Sequence, residues 1–98
     1  MRPVVVLFVT LILAAACSGS STAYTVKVAF NDTYTDAGGH EVELAIQAYD
    51  SHAQVVLQET FPPSAVATVH STSADFCDRL RAQLEPRPDV ARVDCTHD

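Results

Sequence analysis

The stretch SADFCDRLRAQLEPRPDVARVDC, residues 73–95, decides how this chain folds. In its first half an apolar side chain recurs at every fourth position, which predicts an amphipathic helix over residues 73–85. The buried stripe of that helix consists of Phe76, Leu80 and Leu84. Two prolines then end the helix. Apolar and polar residues alternate over residues 90–96, which predicts a strand that follows the helix directly.

The same stretch contains two of the three cysteines of the chain. Cys77 adjoins the apolar stripe of the helix, and Cys95 lies on the strand face that also carries Ala91 and Val93. If the helix packs on that face, the two sulfur atoms meet, so we predict a disulfide between Cys77 and Cys95. The closed loop would stabilise the fold by about 3 kcal/mol. Two free thiols are the alternative, but they are typical of reducing compartments, and two cysteines alone are too few for a metal site.

Upstream of the helix, alternating patterns separated by turn residues predict further strands. The predicted class is α+β: an antiparallel β-meander with one helix packed on the sheet and a C-terminal strand, stapled by the disulfide. The helix-to-strand step resembles the last unit of small ferredoxin-like or open-sandwich domains, a resemblance of shape that implies no function. The upstream strands are predicted at residues 24–34, 41–48 and 54–58, with turns at 36–40 and 50–52 and a short fourth strand at 65–70.

The beginning of the chain has the pattern of a secretory signal peptide. Arg2 is followed by a run that is apolar from Val4 to Ala16 apart from one threonine, and the run ends in small residues. This order of charged, apolar and small residues is typical of signal peptides. The run is shorter than the roughly 20 residues that a transmembrane helix needs. We therefore predict that residues 1–16 are a cleaved signal peptide.

The residues before Cys17 resemble the lipobox of small bacterial lipoproteins, since three alanines precede the cysteine directly. The resemblance implies that Cys17 becomes the mature N-terminus and is diacylated on sulfur. Residues 17–23 would then form the lipidated cysteine and a flexible tether, and residues 24–98 a small α+β domain. Lipidation of Cys17 also leaves an even number of cysteines, as an exported protein favours. Cleavage by ordinary signal peptidase, which would release a secreted protein, is the alternative.

Charge limits the partners of the mature chain. All twelve acidic residues follow Cys17, whereas only five of the six basic residues do, so the mature net charge is −7 with neutral histidines. An acidic domain repels nucleic acids and anionic lipid headgroups. We predict no nucleic-acid binding, and we expect membrane contact through the anchor on Cys17 alone. The composition, rich in Ala, Val and Asp with one lysine, resembles that of small lipoproteins of high-GC bacteria.

The sequence contains no recognisable catalytic motif, so we predict that the protein is not an enzyme and needs no cofactor. The four histidines lack metal-ligand spacing, which leaves only weak sites such as His97 with Asp98, or His70 with a nearby carboxylate. Aromatic residues near the predicted turns can act as recognition anchors or can close the core. These residues are Tyr34, Tyr49 and Phe61.

Together these patterns predict a non-catalytic, lipid-anchored cell-envelope protein that binds a partner in the envelope or an external ligand. One alternative is a secreted inhibitor or immunity-like protein that uses an acidic surface to bind a basic partner. The other alternative is an envelope protein that binds metal weakly through its histidines.

Overall fold

A computed structural model of the chain describes residues 21–98. The elements follow one another in the order β-α-β-β-α-β. The predicted signal peptide, residues 1–16, and the predicted lipidation site Cys17 lie outside the described residues. The elements are β1 (Thr22–Phe30), α1 (Asp36–Gln47), β2 (Val56–Gln58), β3 (Ser64–Ser71), α2 (Phe76–Leu84) and β4 (Val90–His97).

The four strands form one antiparallel sheet in the order β2-β3-β1-β4. The two middle strands are joined along their length, from Thr22 opposite Ser71 to Ala29 opposite Ser64. Each helix connects two strands that are not neighbours in the sheet, which is the split βαβ or ferredoxin-like arrangement. The α+β class, the antiparallel sheet and the C-terminal strand are therefore confirmed, but the simple meander is wrong.

Alternation along the strands separates a covered face of the sheet from an open one. On β1, Tyr24, Val26, Val28 and Phe30 are buried, whereas Lys27 between them is exposed. Both helices contribute to the same core, because the apolar stripe of each is buried with these strand residues. Such burial of alternating strand positions under a helix stripe supplies the main stabilising term of the fold. The helix residues in this core are Val42, Ile46, Phe76, Leu80 and Leu84.

Residues 36–48 correct the largest error of the sequence analysis. The predicted turn at 36–40 and the predicted strand at 41–48 are one helix, α1, with Ala48 as its C-cap. The residue before it caps the helix, since the Thr35 hydroxyl accepts the backbone N–H of Gly38 at 3.0 Å. The buried apolar side chains Val42 and Ile46 are four residues apart, and Leu44 between them is 52% exposed although a strand would have buried it. Tertiary packing at the helical period thus overrides the alternation.

The remaining differences concern boundaries. β1 begins at Thr22 and ends at Phe30, so it starts two residues earlier and stops four residues earlier than predicted. α2 begins at Phe76 rather than at residue 73. The strand predicted at 65–70 is present as β3. A register shift between Ala29 and Phe30 buries Val90 instead of the neighbouring alanine that alternation had indicated.

The predicted disulfide joins Cys77 of α2 to Cys95 of β4, with 5.6 Å between the two Cα atoms. Arg81, one turn further along α2, donates a hydrogen bond to the carbonyl oxygen of Cys95 at 3.0 Å. The helix is therefore tied to the last strand by a covalent bond and by a charged donor. Within residues 21–98, neither helix has the length and apolar composition to span a bilayer.

Candidate functional site

The most distinctive surface lies between the first half of α1 and the edge strand β2. Two adjoining hollows of about 300 and 230 Å³ meet there and share Tyr34, Asp36 and Leu57. We call this surface the acidic groove. Its apolar floor consists of Tyr34, Val55, Leu57 and Phe61, and its charged rim consists of Asp32, Asp36, Glu43 and Glu59.

Tyr34 is the centre of the groove because both hollows touch its ring. The ring packs edge-on against Phe30, with 4.8 Å between the centroids. Gly39 makes this position available, since a Cβ atom there would lie 2.7 Å from the Tyr34 hydroxyl oxygen. Burial raises the pKa of the Tyr34 hydroxyl, and the charge and hydrogen bonding of Asp36 raise it further. The hydroxyl thus stays a proton donor directed toward the acidic rim.

The apolar part of the groove is unusually exposed. Four large apolar side chains in residues 21–98 are exposed, and two of them, Leu57 and Phe61, line the groove. Phe61 is 93% exposed and lines the end of the groove with Pro62 and Pro63. A clustered, exposed aromatic and aliphatic surface with a polar rim is typical of a protein-binding site.

Among the residues that line the groove, His40 is the only one with a basic side chain. The His40 Nδ1 atom lies 3.2 Å from the Glu43 carboxylate on the helix surface. The order of charged residues along the sequence indicates the negative charge of the rim, whereas the overall composition does not locate it. Between Lys27 and Arg79 there is no lysine or arginine, whereas eight acidic residues fall in the same interval. No lysine or arginine lines the groove, so the charge of its rim is negative.

The start of α1, which carries part of the rim, is fixed by an ion-pair network. Arg87 binds the buried carboxylate of Asp89 through two nitrogens, at 3.0 and 3.2 Å, and reaches Glu41 of α1 at 3.1 Å. Hydrogen bonding to Asp89 chiefly raises the pKa of Arg87, although burial opposes the rise. Gly38 lets the helix approach, because a Cβ atom there would meet the Asp89 carboxylate. The network thus positions the helix against the β4 end of the sheet.

A third hollow, of about 630 Å³, lies at the opposite end of β2 and contains Asp50, His52 and His70. The Asp50 carboxylate accepts the backbone N–H of His70 and of His52, each at 3.0 Å. These two backbone hydrogen bonds, His70 first, lower the pKa of Asp50. Both carboxylate oxygens of Asp50 thus accept backbone hydrogen bonds. Within residues 21–98 no three His, Cys, Asp or Glu side chains are arranged to hold a metal ion.

The structure separates the residues that the sequence singled out. Tyr34 and Phe61 come together in the acidic groove, whereas Tyr49 closes the core against Phe76, with 5.1 Å between the ring centroids. His70 does lie beside a carboxylate, with its Nδ1 atom 3.6 Å from Asp50. The ring of His97 packs edge-on against Tyr24. Cys77 and Cys95 form the disulfide and do not line the groove.

Comparison of the chain with protein-family models, with curated proteins and with solved structures gave no match.

Proposed function

We propose that this protein is a non-catalytic, lipid-anchored binding module of the cell envelope, and that it binds a positively charged protein partner through the acidic groove. The observation that supports this most directly is that exposed apolar residues and four carboxylates line the same groove. Apolar contact supplies affinity, and complementary charge supplies the choice of partner and a fast encounter. Basic residues of the partner would lie beside the carboxylates, with their cations near the aromatic rings.

The anchor rests on the sequence around Cys17, which resembles a lipobox, and on the disulfide, which suits an oxidising compartment. The test is mass spectrometry of the mature N-terminus from producing cells, for the wild-type chain and for Cys17→Ala. We expect a diacylglyceryl group on Cys17 and loss of the variant from the membrane fraction, whereas Ser18→Ala keeps both. An unmodified chain in the medium would instead support the secreted alternative.

The binding site is tested by placing p-benzoylphenylalanine, a photo-crosslinker, at position 61 in living cells. The matched control places it at position 82, because Ala82 is also exposed but lies on α2 and does not line the groove. We expect a discrete protein adduct from position 61 alone. The adduct should disappear when Asp36→Asn and Glu59→Gln are added, because both carboxylates line the groove. Equal adducts from both positions, or none from either, would contradict the proposed function.

The secreted inhibitor or immunity-like alternative uses the same acidic groove, so the binding experiment supports it equally and only the N-terminal analysis separates the two. The weak metal-binding alternative places its ligand elsewhere, at the histidines. Calorimetry with zinc and copper, comparing the wild-type chain with His52→Ala and His70→Ala, tests that alternative separately.

A further inference from the structure

We propose that the partner is an extended polypeptide segment that pairs with the free edge of β2 as a fifth strand and places basic side chains in the acidic groove. This inference rests on the proposed function, because it specifies how the groove binds. The proposed partner is a polypeptide rather than a small cation, because the free edge of a strand forms hydrogen bonds with another backbone.

The two edges of the sheet are treated differently. At the β4 edge, the Arg81 guanidinium donates to the Cys95 carbonyl at 3.0 Å, and Arg92 and Asp94 place a charged pair on the strand. Beyond the end of β2, the free backbone of β3 is covered as well, since Asp50 accepts the N–H of His70. Charges and covering groups of this kind are how proteins prevent unwanted strand pairing.

β2 has none of these protections. It pairs with β3 on one side only, and its three residues, Val56–Gln58, are all exposed and uncharged. Within the described part of the chain, no side chain hydrogen-bonds to the backbone of β2. Every second residue of an edge strand directs its N–H and C=O groups outward, so β2 offers hydrogen bonds to an incoming strand. Its short length restricts pairing to a few residues, which favours a reversible complex.

The register of the sheet determines what such a strand would contact. Leu57 lies opposite Ala65, whose side chain is buried on the helix-covered face, so Leu57 belongs to that face and to the groove. Val56 lies opposite Val66 and belongs to the open face of the sheet. Because successive residues of a strand point to opposite faces, alternate residues of the partner would contact the groove and the open face.

The side chains on each face of β2 indicate which types of partner residue would contact that face. Asp36 and Glu43 border the groove beside Leu57, so groove-facing partner residues are expected to be Arg or Lys. Val56 is 60% exposed and offers an apolar contact on the other face. The predicted motif is therefore an alternation of basic and apolar residues. An acidic groove disfavours a nucleic acid or an anionic membrane as the occupant.

The test uses the full chain as purified from cells that export it and three synthetic peptides. The first peptide is Arg-Val-Arg-Val-Arg-Val, the second has Glu in place of Arg, and the third is the first with alternate backbone amides N-methylated on its pairing edge. We expect NMR shifts at Val56–Gln58 and at Tyr34 with the first peptide, and no binding of the second. N-methylation should weaken binding by about tenfold or more, because it removes the interstrand hydrogen bonds.

Two double variants with the same change in net charge complete the test. Asp36→Asn with Glu59→Gln should weaken binding of the first peptide by about fivefold, whereas Asp78→Asn on α2 with Glu85→Gln at its C-cap should leave it unchanged. If the N-methylated peptide binds equally well, or if no basic peptide binds near about 1 mM, the strand-addition inference is wrong. The crosslinking experiment at position 61 tests binding at the groove without requiring strand pairing. It therefore distinguishes a failure of the strand-addition inference from a failure of the proposed function.

Discussion

The carboxylate of Asp50 accepts the backbone N–H of His70 at 3.0 Å and covers the part of the β3 edge that β2 does not reach. Its second oxygen accepts the N–H of His52, two residues further along its own loop. One side chain thus closes the loop after α1 and substitutes for a missing strand. The backbone of the sheet edge is satisfied there without a further β-strand.

Replacement of Asp50 by asparagine should therefore destabilise the protein in a pH-dependent way. The two N–H groups lower the pKa of Asp50 in the folded state. The ionised carboxylate thus stabilises the fold above its ordinary pKa of 3.8, and this stabilisation is lost as the pH falls toward the lower pKa of the folded state. We expect Asp50→Asn to lower the urea midpoint at pH 7 and to differ less from wild type at about pH 3. A difference that is independent of pH would contradict the role of the charge.

Arg87 allows a buried and an exposed ion pair to be compared, because it binds one buried and one exposed carboxylate. Asp89 is 7% exposed, whereas the side chain of Glu41 is 64% exposed. Asp89→Asn removes the negative charge and replaces one of the two acceptor oxygens by an NH2 donor that faces the guanidinium, so it should cost about 2 kcal/mol. Glu41→Gln should cost less than about 0.5 kcal/mol, since solvent screens that pair. Urea unfolding at neutral pH measures both variants, and equal losses would show that burial does not govern this network.

The comparison of sequence with structure shows where local patterns suffice. The helix over Phe76–Leu84 and the strand after it were predicted because their periodicity agrees with their burial. The apolar residues of 36–48 fit the two-residue period of a strand as well as the period of a helix, and two adjacent glycines favour a turn. The close packing of the two glycines is not visible in that pattern: a Cβ atom at Gly38 would meet the carboxylate of Asp89, and one at Gly39 would meet the ring of Tyr34. No described glycine has a positive φ, so these two provide space rather than a turn.

The groove was predictable only in part. The sequence analysis left Tyr34, Tyr49 and Phe61 either as recognition anchors or as residues that close the core, and the structure places Tyr49 against the core. That Tyr34 and Phe61 converge depends on the pairing of β1 with β3 and on the hydrogen bond from Phe30 N–H to the Pro63 carbonyl at 3.0 Å. Such long-range contacts are absent from any local window of sequence.

The disulfide should contribute substantially to stability. It closes a separation of 18 residues between Cys77 and Cys95, for which the chain-entropy relation gives about 3 kcal/mol. Reduction with a phosphine should lower the thermal midpoint of the wild-type chain. The Cys77→Ala, Cys95→Ala double variant should start from a lower midpoint and not respond to the reductant. A wild-type midpoint unaffected by complete reduction, verified by thiol titration, would contradict this contribution.

Two phenylalanines provide the sharpest test of the division between core and groove. Phe76 is fully buried, with its ring 5.1 Å from those of Tyr24 and Tyr49, whereas Phe61 is 93% exposed in the acidic groove. Phe76→Ala removes those contacts and leaves a cavity, so we expect a loss of about 3–5 kcal/mol. Phe61→Ala should change stability by less than about 0.5 kcal/mol, because the side chain is already in water.

The same pair separates stability from binding. Phe61→Ala should leave the unfolding curve unchanged and yet abolish the peptide-induced NMR shifts at Tyr34, because it removes the apolar end of the groove. Phe76→Leu, which keeps most of the buried volume, should lower the midpoint while the remaining folded protein still binds. If Phe61→Ala destabilises the fold as much as a core substitution does, the residue belongs to the packing of the domain and the acidic groove loses its main apolar contact.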